Sequence, residues 1–316
     1  MDTPLIQTKD LVKYFNTKRG NLHAVDHVNI SIMKGETLGV VGESGCGKST
    51  LGRTILRLLE PTSGEILYNG QNIVDYSTKQ MKEMRKKMQI IFQDPFTSLN
   101  PRMSVSEIIA EPMITTRTLK NNTERLDRVY WLMETVGLAE RFINSYPHEL
   151  DGGRRQRIGI ARALSVDPEF IVCDEPVSAL DVSIQAQILN LMMDLQDEMG
   201  LTYMFVTHNL SVIKHISNNI AVMYLGQCVE HAPTDELFAH PQHPYTKALL
   251  NAIPIASLKD RKKLEIIKGE VTSPINPKPG CRFADRCPYV TDRCREDGLK
   301  LREVAPKHYV ACRLHE

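Results

Sequence analysis

The chain has 316 residues, 42% of them hydrophobic, which is enough for a main core and at least one appended or inserted unit. Its 39 basic and 38 acidic residues leave a net charge of +1, so the charge balance gives no support to nucleic acid as the main partner. The sequence has no apolar run of about 18 residues and no signal-peptide pattern at its start, and we therefore expect a soluble protein that stays in the cytosol.

The predicted elements mix strands and helices along the chain. Strand-like runs bordered by turn signals are expected to form an antiparallel layer on the core, and they lie at residues 5–15, 23–32 and 65–68. Helical periodicity from about residue 98 to residue 145 predicts an inserted group of helices. Buried strands are predicted again at 169–173 and 203–207, and a Pro-rich linker over 241–279 leads to a cysteine-bearing tail.

A glycine-rich stretch stands between a short apolar run and a helical pattern. Residues 42–50 read Gly-Glu-Ser-Gly-Cys-Gly-Lys-Ser-Thr, which fits the phosphate-binding pattern G-x-x-x-x-G-K-[ST]. Such a loop aims backbone N–H groups and the positive end of a helix at a polyphosphate. Lys48 would neutralise phosphate charge, and the Ser49 hydroxyl would hold Mg²⁺. The stretch predicts a site for ATP or GTP, with the candidate binding residues Gly42, Ser44, Gly45, Cys46, Gly47, Lys48, Ser49 and Thr50.

Two adjacent acids follow the apolar run at residues 170–173. Asp174, at the end of a buried parallel strand, can reach the Mg²⁺ shell, and Glu175 can polarise the attacking water. Acids in such places are also common as plain helix caps, but the glycine loop in the same chain favours a catalytic pair.

The motifs and the order of the elements predict an α/β fold. We expect a P-loop NTPase (RecA-like) core with an antiparallel β layer, an inserted helical subdomain and a small Cys-rich C-terminal extension. The expected boundaries are 1–97 for the first half of the core, 98–150 for the helical subdomain, 151–238 for the second half of the core and 239–316 for the extension.

Residues 150–157, Leu-Asp-Gly-Gly-Arg-Arg-Gln-Arg, resemble the signature of the ATP-binding-cassette (ABC) ATPases, Leu-Ser-Gly-Gly-Gln. The resemblance covers residues 10 to about 235 and assigns further roles. Gln93 is similar to the Q-loop glutamine, Asp181 to the D-loop aspartate, His208 to the switch histidine and Phe15 to the aromatic that stacks on adenine, with Tyr14 as its substitute. The implied catalytic residues are Glu175, His208, Gln93 and Lys48, and the implied Mg²⁺ residues are Ser49, Gln93 and Asp174.

The resemblance also implies a head-to-tail pair of ATPase domains. Each ATP lies between the glycine loop of one domain and the signature of the other, here Asp151, Gly152 and Gly153. Asp151 departs from the usual Ser, and Arg154 from the usual Gln. A carboxylate would repel phosphate by up to about 4 kcal/mol at roughly 4 Å. We therefore expect a heterodimer with unequal sites. The alternative is that Asp151 is tolerated and both sites turn over.

Four cysteines lie close together near the C-terminus: Cys281, Cys287, Cys294 and Cys312. Such a set suits a tetrahedral metal or an iron-sulfur cluster. The surrounding segments, with residues 243–250 and Ile253-Pro254, resemble the C-terminal extension of oligopeptide and dipeptide importer ATPases. That resemblance implies a four-iron four-sulfur (4Fe-4S) cluster, with Zn²⁺ and free thiols as the alternatives. Arg282, Arg286 and Arg293 would compensate thiolate charge.

The resemblance identifies the chain as the ATP-hydrolysing subunit of a peptide importer. It implies a second ABC ATPase, two transmembrane permease subunits and an extracytoplasmic solute-binding protein as partners, and a peripheral position on the cytoplasmic face of the cell membrane. The helical insertion and Gln93 would form the groove for a permease coupling helix. The alternatives are the same role for nickel or another solute, a non-transport cytosolic ABC ATPase, and a redox-sensing metal module.

Overall fold

The structure is a computed structural model, and it describes residues 3–252, residue 269 and residues 272–316. The strands of these ranges are β1 (Ile6–Thr17), β2 (Gly20–Val28), β3 (Ser31–Ile32), β4 (Thr37–Val41), β5 (Ser63–Tyr68), β6 (Gln71–Asn72), β7 (Met88–Ile91), β8 (Phe170–Asp174), β9 (Thr202–Val206), β10 (Asn219–Tyr224), β11 (Gln227–Pro233), β12 (Arg302–Ala305) and β13 (His308–Val310). The α-helices are α1 (Lys48–Ile55), α2 (Thr78–Lys87), α3 (Pro95–Ser98), α4 (Val105–Thr116), α5 (Asn122–Thr135), α6 (Gly152–Leu164), α7 (Val182–Met199), α8 (Leu210–Ile216), α9 (Thr234–Ala239) and α10 (Pro244–Asn251).

The chain divides into two compact units, Met1–Val74 with Val206–Glu316, and Asp75–Phe205. In the first unit, the predicted antiparallel layer is confirmed: the strand order is β2-β1-β5-β6, and β3 pairs with β1. A second set of strands places β4 parallel to β10 and β10 antiparallel to β11. All five residues of β4 are buried, as expected for a strand that is covered on both faces.

The C-terminal extension adds strands to the first unit. Antiparallel β13 pairs with β11, with Val310 opposite Glu230, and β12 pairs in turn with β13. The extension is therefore part of the same sheet as the core strands of this unit. The motif residues Ile253 and Pro254 lie outside the described residues.

The second unit combines two parallel strands with a helical group. Strands β7 and β8 run parallel, with Met88 opposite Phe170. Helices α4 and α5 occupy the predicted helical insertion, and α6 packs against both of them and against α3. Most of the residues at helical spacing on α4 and α5 are buried, as Ile108, Met113 and Leu132 show, but Leu126 is 44% exposed. Among the described residues, the structure contains no helix that is both long and apolar enough to span a membrane.

Candidate active site

The glycine-rich loop joins β4 to α1, and its path depends on residues without a side chain. Gly47 directly precedes α1 with a φ of 104°, and Gly42 follows β4 with a φ of 153°. A Cβ on Gly47 would lie 2.0 Å from the carbonyl oxygen of Ala24, and a Cβ on Gly42 would lie 2.2 Å from that of Met223. Only glycine fits at these two positions. Ser44 and Gly45 are exposed at the tip of the loop.

Lys48 is buried at the N-terminus of α1, and its ammonium group bonds to the loop. Nζ donates to the carbonyl oxygen of Gly42 at 2.8 Å and to that of Glu43 at 3.0 Å. Burial raises the pKa of the neighbouring Cys46 thiol, so this side chain stays neutral. A buried cation and the N-terminus of a helix therefore lie at one place, which is the arrangement that binds phosphate. Ser49 and Thr50 lie half-buried in the first turn of α1.

The two aromatic candidates for adenine stacking have different surroundings. The Tyr14 ring stacks on His23 at 3.8 Å between centroids, and its hydroxyl donates to the Asp26 carboxylate. Burial and the Asp26 contact raise the pKa of Tyr14. Phe15, on the other side of β1, makes no such polar contact and lies 4.9 Å from the Lys13 ammonium. These contacts fix the Tyr14 ring within the β1–β2 hairpin. Phe15 is therefore the better candidate for the residue that stacks on adenine.

In the second unit, the structure joins two of the predicted catalytic side chains. Gln93 Nε2 donates to Glu175 Oε2 at 3.0 Å. Asp174, the last residue of β8, is buried, and Glu175 follows it with a φ of 47°. A left-handed backbone at a non-glycine residue costs free energy and is found most often at functional sites. The turn after β8 therefore holds the Glu175 carboxylate where Gln93 can contact it.

Asp151 is the N-cap of α6. One of its carboxylate oxygens accepts from the Arg154 backbone N–H at 2.8 Å, and the other lies 2.8 Å from the Arg154 guanidinium. Asp and Ser both cap helices well, so the substitution preserves the start of this helix. The Arg154 charge offsets part of the carboxylate charge. Both of the departures from the family signature therefore contact each other.

The two glycines of the signature pack against the segment that contains the predicted D-loop. A Cβ on Gly153 would lie 2.8 Å from Ile184 Cγ2, and a Cβ on Gly152 would lie 3.1 Å from Leu180 Cδ2. Asp181 is exposed and directly precedes α7. The signature and the predicted D-loop are thus neighbours in this unit.

The predicted switch histidine, His208, lies in the first unit and is exposed. The residues on both sides of it, Thr207 and Asn209, form hydrogen bonds. The Thr207 N–H donates to the Val40 carbonyl oxygen at 3.2 Å, and the Asn209 side chain accepts from the Ser211 N–H at 3.0 Å and so caps α8. The end of β9 therefore holds this residue next to β4.

The four cysteines of the extension are free thiols that influence one another. Burial, with smaller contributions from the thiols of Cys312, Cys294 and Cys287, raises the pKa of Cys281 to about 11. Burial also raises the pKa of Cys287 and of Cys312, with the other thiols adding to the effect. Within the described ranges, however, no group of three or more His, Cys, Asp or Glu side chains is arranged to hold a metal ion. The four thiols are neighbours without forming the compact set that a single Zn²⁺ requires.

The arginines near these cysteines pair with carboxylates. Arg282 contacts Asp26, Arg286 Nη1 lies 2.9 Å from the Glu43 carboxylate, and Arg293 Nη2 lies 3.2 Å from that of Glu316. The expected role of these arginines in compensating thiolate charge stays a prediction. Glu43 and Asp26 were not singled out by the sequence, because a Glu inside a glycine loop and an Asp in a strand have no distinctive spacing.

A groove of about 410 Å³ runs along the helical group of the second unit. Its apolar lining comes from α4 and α5, including Ile114 and Leu126, which are 53% and 44% exposed. Glu107, Glu111 and Arg125 give it a charged rim. Gln93, which is expected at the groove for a permease coupling helix, is not among the described residues that line this one.

Comparisons with known protein families agree with this geometry. The ABC transporter family matches residues 25–178, and the oligopeptide/dipeptide transporter C-terminal region matches residues 229–294. The dimeric structure of the ATP-binding cassette MJ0796 bound to ADP and Pi aligns with a TM-score of 0.67 at 31% identity, over 72% of this chain and 98% of that one. The predicted P-loop NTPase fold is confirmed. The chain belongs to the ABC transporter ATP-binding proteins, and it is an ATPase.

Relatives that match over nearly their whole length show which ABC transporter ATP-binding proteins this chain resembles. The chain is 50% identical over 321 residues to the oligopeptide transport ATP-binding protein AppF of Bacillus subtilis, covering 98% of this chain and 97% of that protein. It is 48% identical over 317 residues to the dipeptide transport ATP-binding protein DppF of Haemophilus influenzae, with coverage of 98% and 97%. The resemblance to the ATP-binding subunits of oligopeptide and dipeptide transporters is therefore confirmed.

Proposed function

We propose that this chain hydrolyses ATP to drive the import of oligopeptides or dipeptides. The observation that carries the proposal is the union in one chain of an ordered phosphate loop with the C-terminal region of oligopeptide and dipeptide transporters. The partners would be two membrane-spanning permeases and an extracytoplasmic solute-binding protein, and the chain would lie on the cytoplasmic face of the cell membrane.

Each unit carries residues with a proposed role in ATP binding or hydrolysis. Lys48 would neutralise the β- and γ-phosphates, and the Ser49 hydroxyl and the Asp174 carboxylate would hold Mg²⁺, which would offset phosphate charge. Glu175 accepts the proton of the attacking water, and its contact with Gln93 at 3.0 Å holds the carboxylate in place. His208, the signature glycines and Asp181 complete the site as the family resemblance implies.

The groove between α4 and α5 supports the coupling of hydrolysis to transport. An exposed apolar strip with a charged rim suits a short amphipathic helix, which we propose is a cytoplasmic segment of the permease. The domain boundaries proposed from the sequence place this groove in the helical subdomain at 98–150.

Transport in a reconstituted system tests the function. The chain, its candidate permeases and its solute-binding protein are placed in proteoliposomes, and uptake of a labelled peptide is measured with and without ATP. We expect uptake that requires ATP and is lost with Glu175→Gln. ATP hydrolysis that no peptide stimulates, with uptake of nickel or another solute in its place, would contradict the peptide assignment.

We also propose that the functional ATPase is a heterodimer with unequal sites, the weaker one using Asp151. A carboxylate cannot donate a hydrogen bond to phosphate, which supports the inequality. The contacts between Asp151 and Arg154 support the alternative, in which the acid is tolerated. Single-turnover hydrolysis by the assembled pair separates the two, since equal ATP occlusion and turnover at both sites would exclude the unequal pair.

For the cysteines we infer a 4Fe-4S cluster. The four cysteines would supply the four thiolate donors of such a cluster, and the resemblance of the extension to the oligopeptide/dipeptide transporter C-terminal region supports this assignment, with Zn²⁺ as the alternative. The cluster would cross-link the loops of the extension. A brown protein after anaerobic purification, with about four irons per chain, is expected. A colourless protein with one zinc would refute the assignment.

A further inference from the structure

The extension contacts the phosphate loop at Glu43. The Glu43 backbone N–H donates to Tyr245 Oη at 2.9 Å, and the Glu43 carboxylate accepts from Arg286 Nη1 at 2.9 and 3.2 Å. Tyr245 is fully buried and packs edge-on against Tyr224, with 4.7 Å between the ring centroids. The Arg286 side chain is only 8% exposed. Both partners of Glu43 are therefore held firmly by the residues around them.

Glu43 brings a negative charge into the phosphate loop. It is the second residue of a loop that binds polyphosphate, so its negative charge opposes the ligand. Its carbonyl oxygen also accepts from Lys48 Nζ at 3.0 Å. Arg286 offsets the charge of the carboxylate, while the contacts to Tyr245 and Lys48 fix the backbone on either side of it. The loop thus depends on the extension for both its charge and its shape.

A second set of contacts joins the extension to the hairpin of β1 and β2, which carries Phe15. The His23 N–H donates to the Pro274 carbonyl oxygen at 3.0 Å, and the Asn276 N–H donates to that of Asn21 at 2.9 Å. Arg282 contacts the buried Asp26 carboxylate. The extension therefore contacts the predicted adenine side and the predicted phosphate side of the first unit, all within one compact unit.

We propose that the C-terminal extension is a positioning element of the nucleotide site, in which Arg286 masks the charge of Glu43 and Tyr245 fixes its backbone. The docked extension raises the affinity of the phosphate loop for ATP, since a loop that is already ordered loses less entropy on binding. The inference rests on the proposed assignment of the loop at residues 42–50 to ATP.

The test measures the binding of a non-hydrolysable fluorescent ATP analogue to the purified full chain in the presence of Mg²⁺. Arg286→Met exposes the Glu43 charge and is expected to raise Kd about tenfold, the effect of one charge-assisted hydrogen bond. Glu43→Gln alone is expected to change Kd by about twofold or less. In the double variant the repulsion is absent, and Kd is expected to return to within about threefold of the wild-type value. Tyr245→Phe, which keeps the ring, is expected to raise Kd about fivefold.

Two controls separate the possible failures. Arg295→Met removes an arginine of the extension whose partner is the exposed Asp285, at 2.9 Å, and should leave Kd unchanged. Lys48→Ala should abolish binding. If it does not, the loop assignment itself fails. If it does, but Arg286→Met leaves Kd unchanged or Glu43→Gln gives no rescue in the double variant, the positioning role is overturned. Thermal unfolding of each variant shows whether a loss of binding reflects a loss of folding.

Discussion

Glu230 is the buried residue through which β11 holds the extension, and Glu230→Gln is expected to release β13 from the sheet. One carboxylate oxygen accepts from the Gln242 N–H at 2.7 Å and from His308 Nε2 at 2.7 Å. The other accepts from the His243 N–H at 3.0 Å. The side chains of Glu230 and His308 are 0% exposed, so no water can replace a lost contact.

The cost follows from the count of donors. The Gln242 N–H, the His243 N–H and His308 Nε2 face the carboxylate, and a glutamine amide presents an NH₂ group to at least one of them in either orientation. A buried donor left unpaired costs about 1–3 kcal/mol, and removal of one member of a buried charged pair costs about 3–5 kcal/mol. We expect the free energy of opening of β13 to fall by about 3–5 kcal/mol, since the charged pair is the larger contribution.

Hydrogen exchange of the amides in β13 measures this opening directly. The expected change is an acceleration of about 100-fold or more in Glu230→Gln. Glu236→Gln is the matched control, because Glu236 is more exposed and lies 3.5 Å from His308 Nδ1. It should change the opening free energy by about 0.5 kcal/mol or less. An acceleration of less than about tenfold in Glu230→Gln would refute the assignment of the pair as the anchor.

Two further predictions concern pH and the aromatic candidates, and a third concerns the helix cap. The hydrogen bond to Glu230 and the contact with Glu236 raise the pKa of His308, so its contribution to stability is complete below about pH 6.5 and is lost as pH rises through its folded pKa. Burial lowers the pKa of His231 and of His243 to about 4, so their contribution is complete above about pH 6.5 and is lost as pH falls towards 4. The free energy of unfolding, measured with denaturant across this range, should be highest near pH 6.5. His308→Gln should remove only its decline on the alkaline side. An unchanged alkaline decline would contradict the role of His308. Phe15→Ala should weaken ATP binding by about tenfold or more, which is the loss expected for one base-stacking contact. Tyr14→Phe should reduce the stability of the protein and have a smaller effect on the affinity for ATP. If Tyr14→Phe weakens ATP binding more than Phe15→Ala does, Tyr14 is the stacking residue. Asp151→Ala should lower the free energy of unfolding in urea by about 1 kcal/mol, because α6 loses its N-cap. Asp151→Ser should have the stability of the wild type, because Ser also caps helices. Equal stability of the wild type and both variants would contradict the capping role.

The phosphate loop and the signature could be predicted from the sequence because their chemistry depends on residues that are close along the chain. Gly42 and Gly47 are required where a neighbouring carbonyl leaves no room for a Cβ, and this requirement appears as a fixed spacing. The antiparallel layer was also predictable, since its strands are separated by recognisable turns. The end of α1 could not be predicted. The helix ends at Ile55, and Arg57 has a left-handed φ of 49° although it is neither glycine nor proline.

The partners of the arginines were beyond the reach of the sequence. Arg286 contacts a residue 243 positions away, and Arg282 contacts one 256 positions away. No periodicity or motif spacing encodes a pair of side chains at such a separation, which depends on the tertiary fold alone. The sequence showed arginines next to cysteines, and charge compensation of thiolates was the local explanation. The buried acceptors, Glu43 and Asp26, give these arginines a role that only the structure reveals.

The docking of β13 on β11 and the contacts of the extension with the phosphate loop are expected to be energetically coupled. Glu230 holds β13, and Glu43 receives Arg286 and Tyr245 of the same extension. If a docked extension favours ATP binding, then bound ATP must favour docking by the same free energy, because the coupling between two sites is reciprocal. Saturating nucleotide should therefore slow hydrogen exchange in β13, and Glu230→Gln should weaken nucleotide binding although Glu230 is not proposed to touch the ligand. The absence of both effects would show that the extension is attached to the core without influencing the phosphate loop.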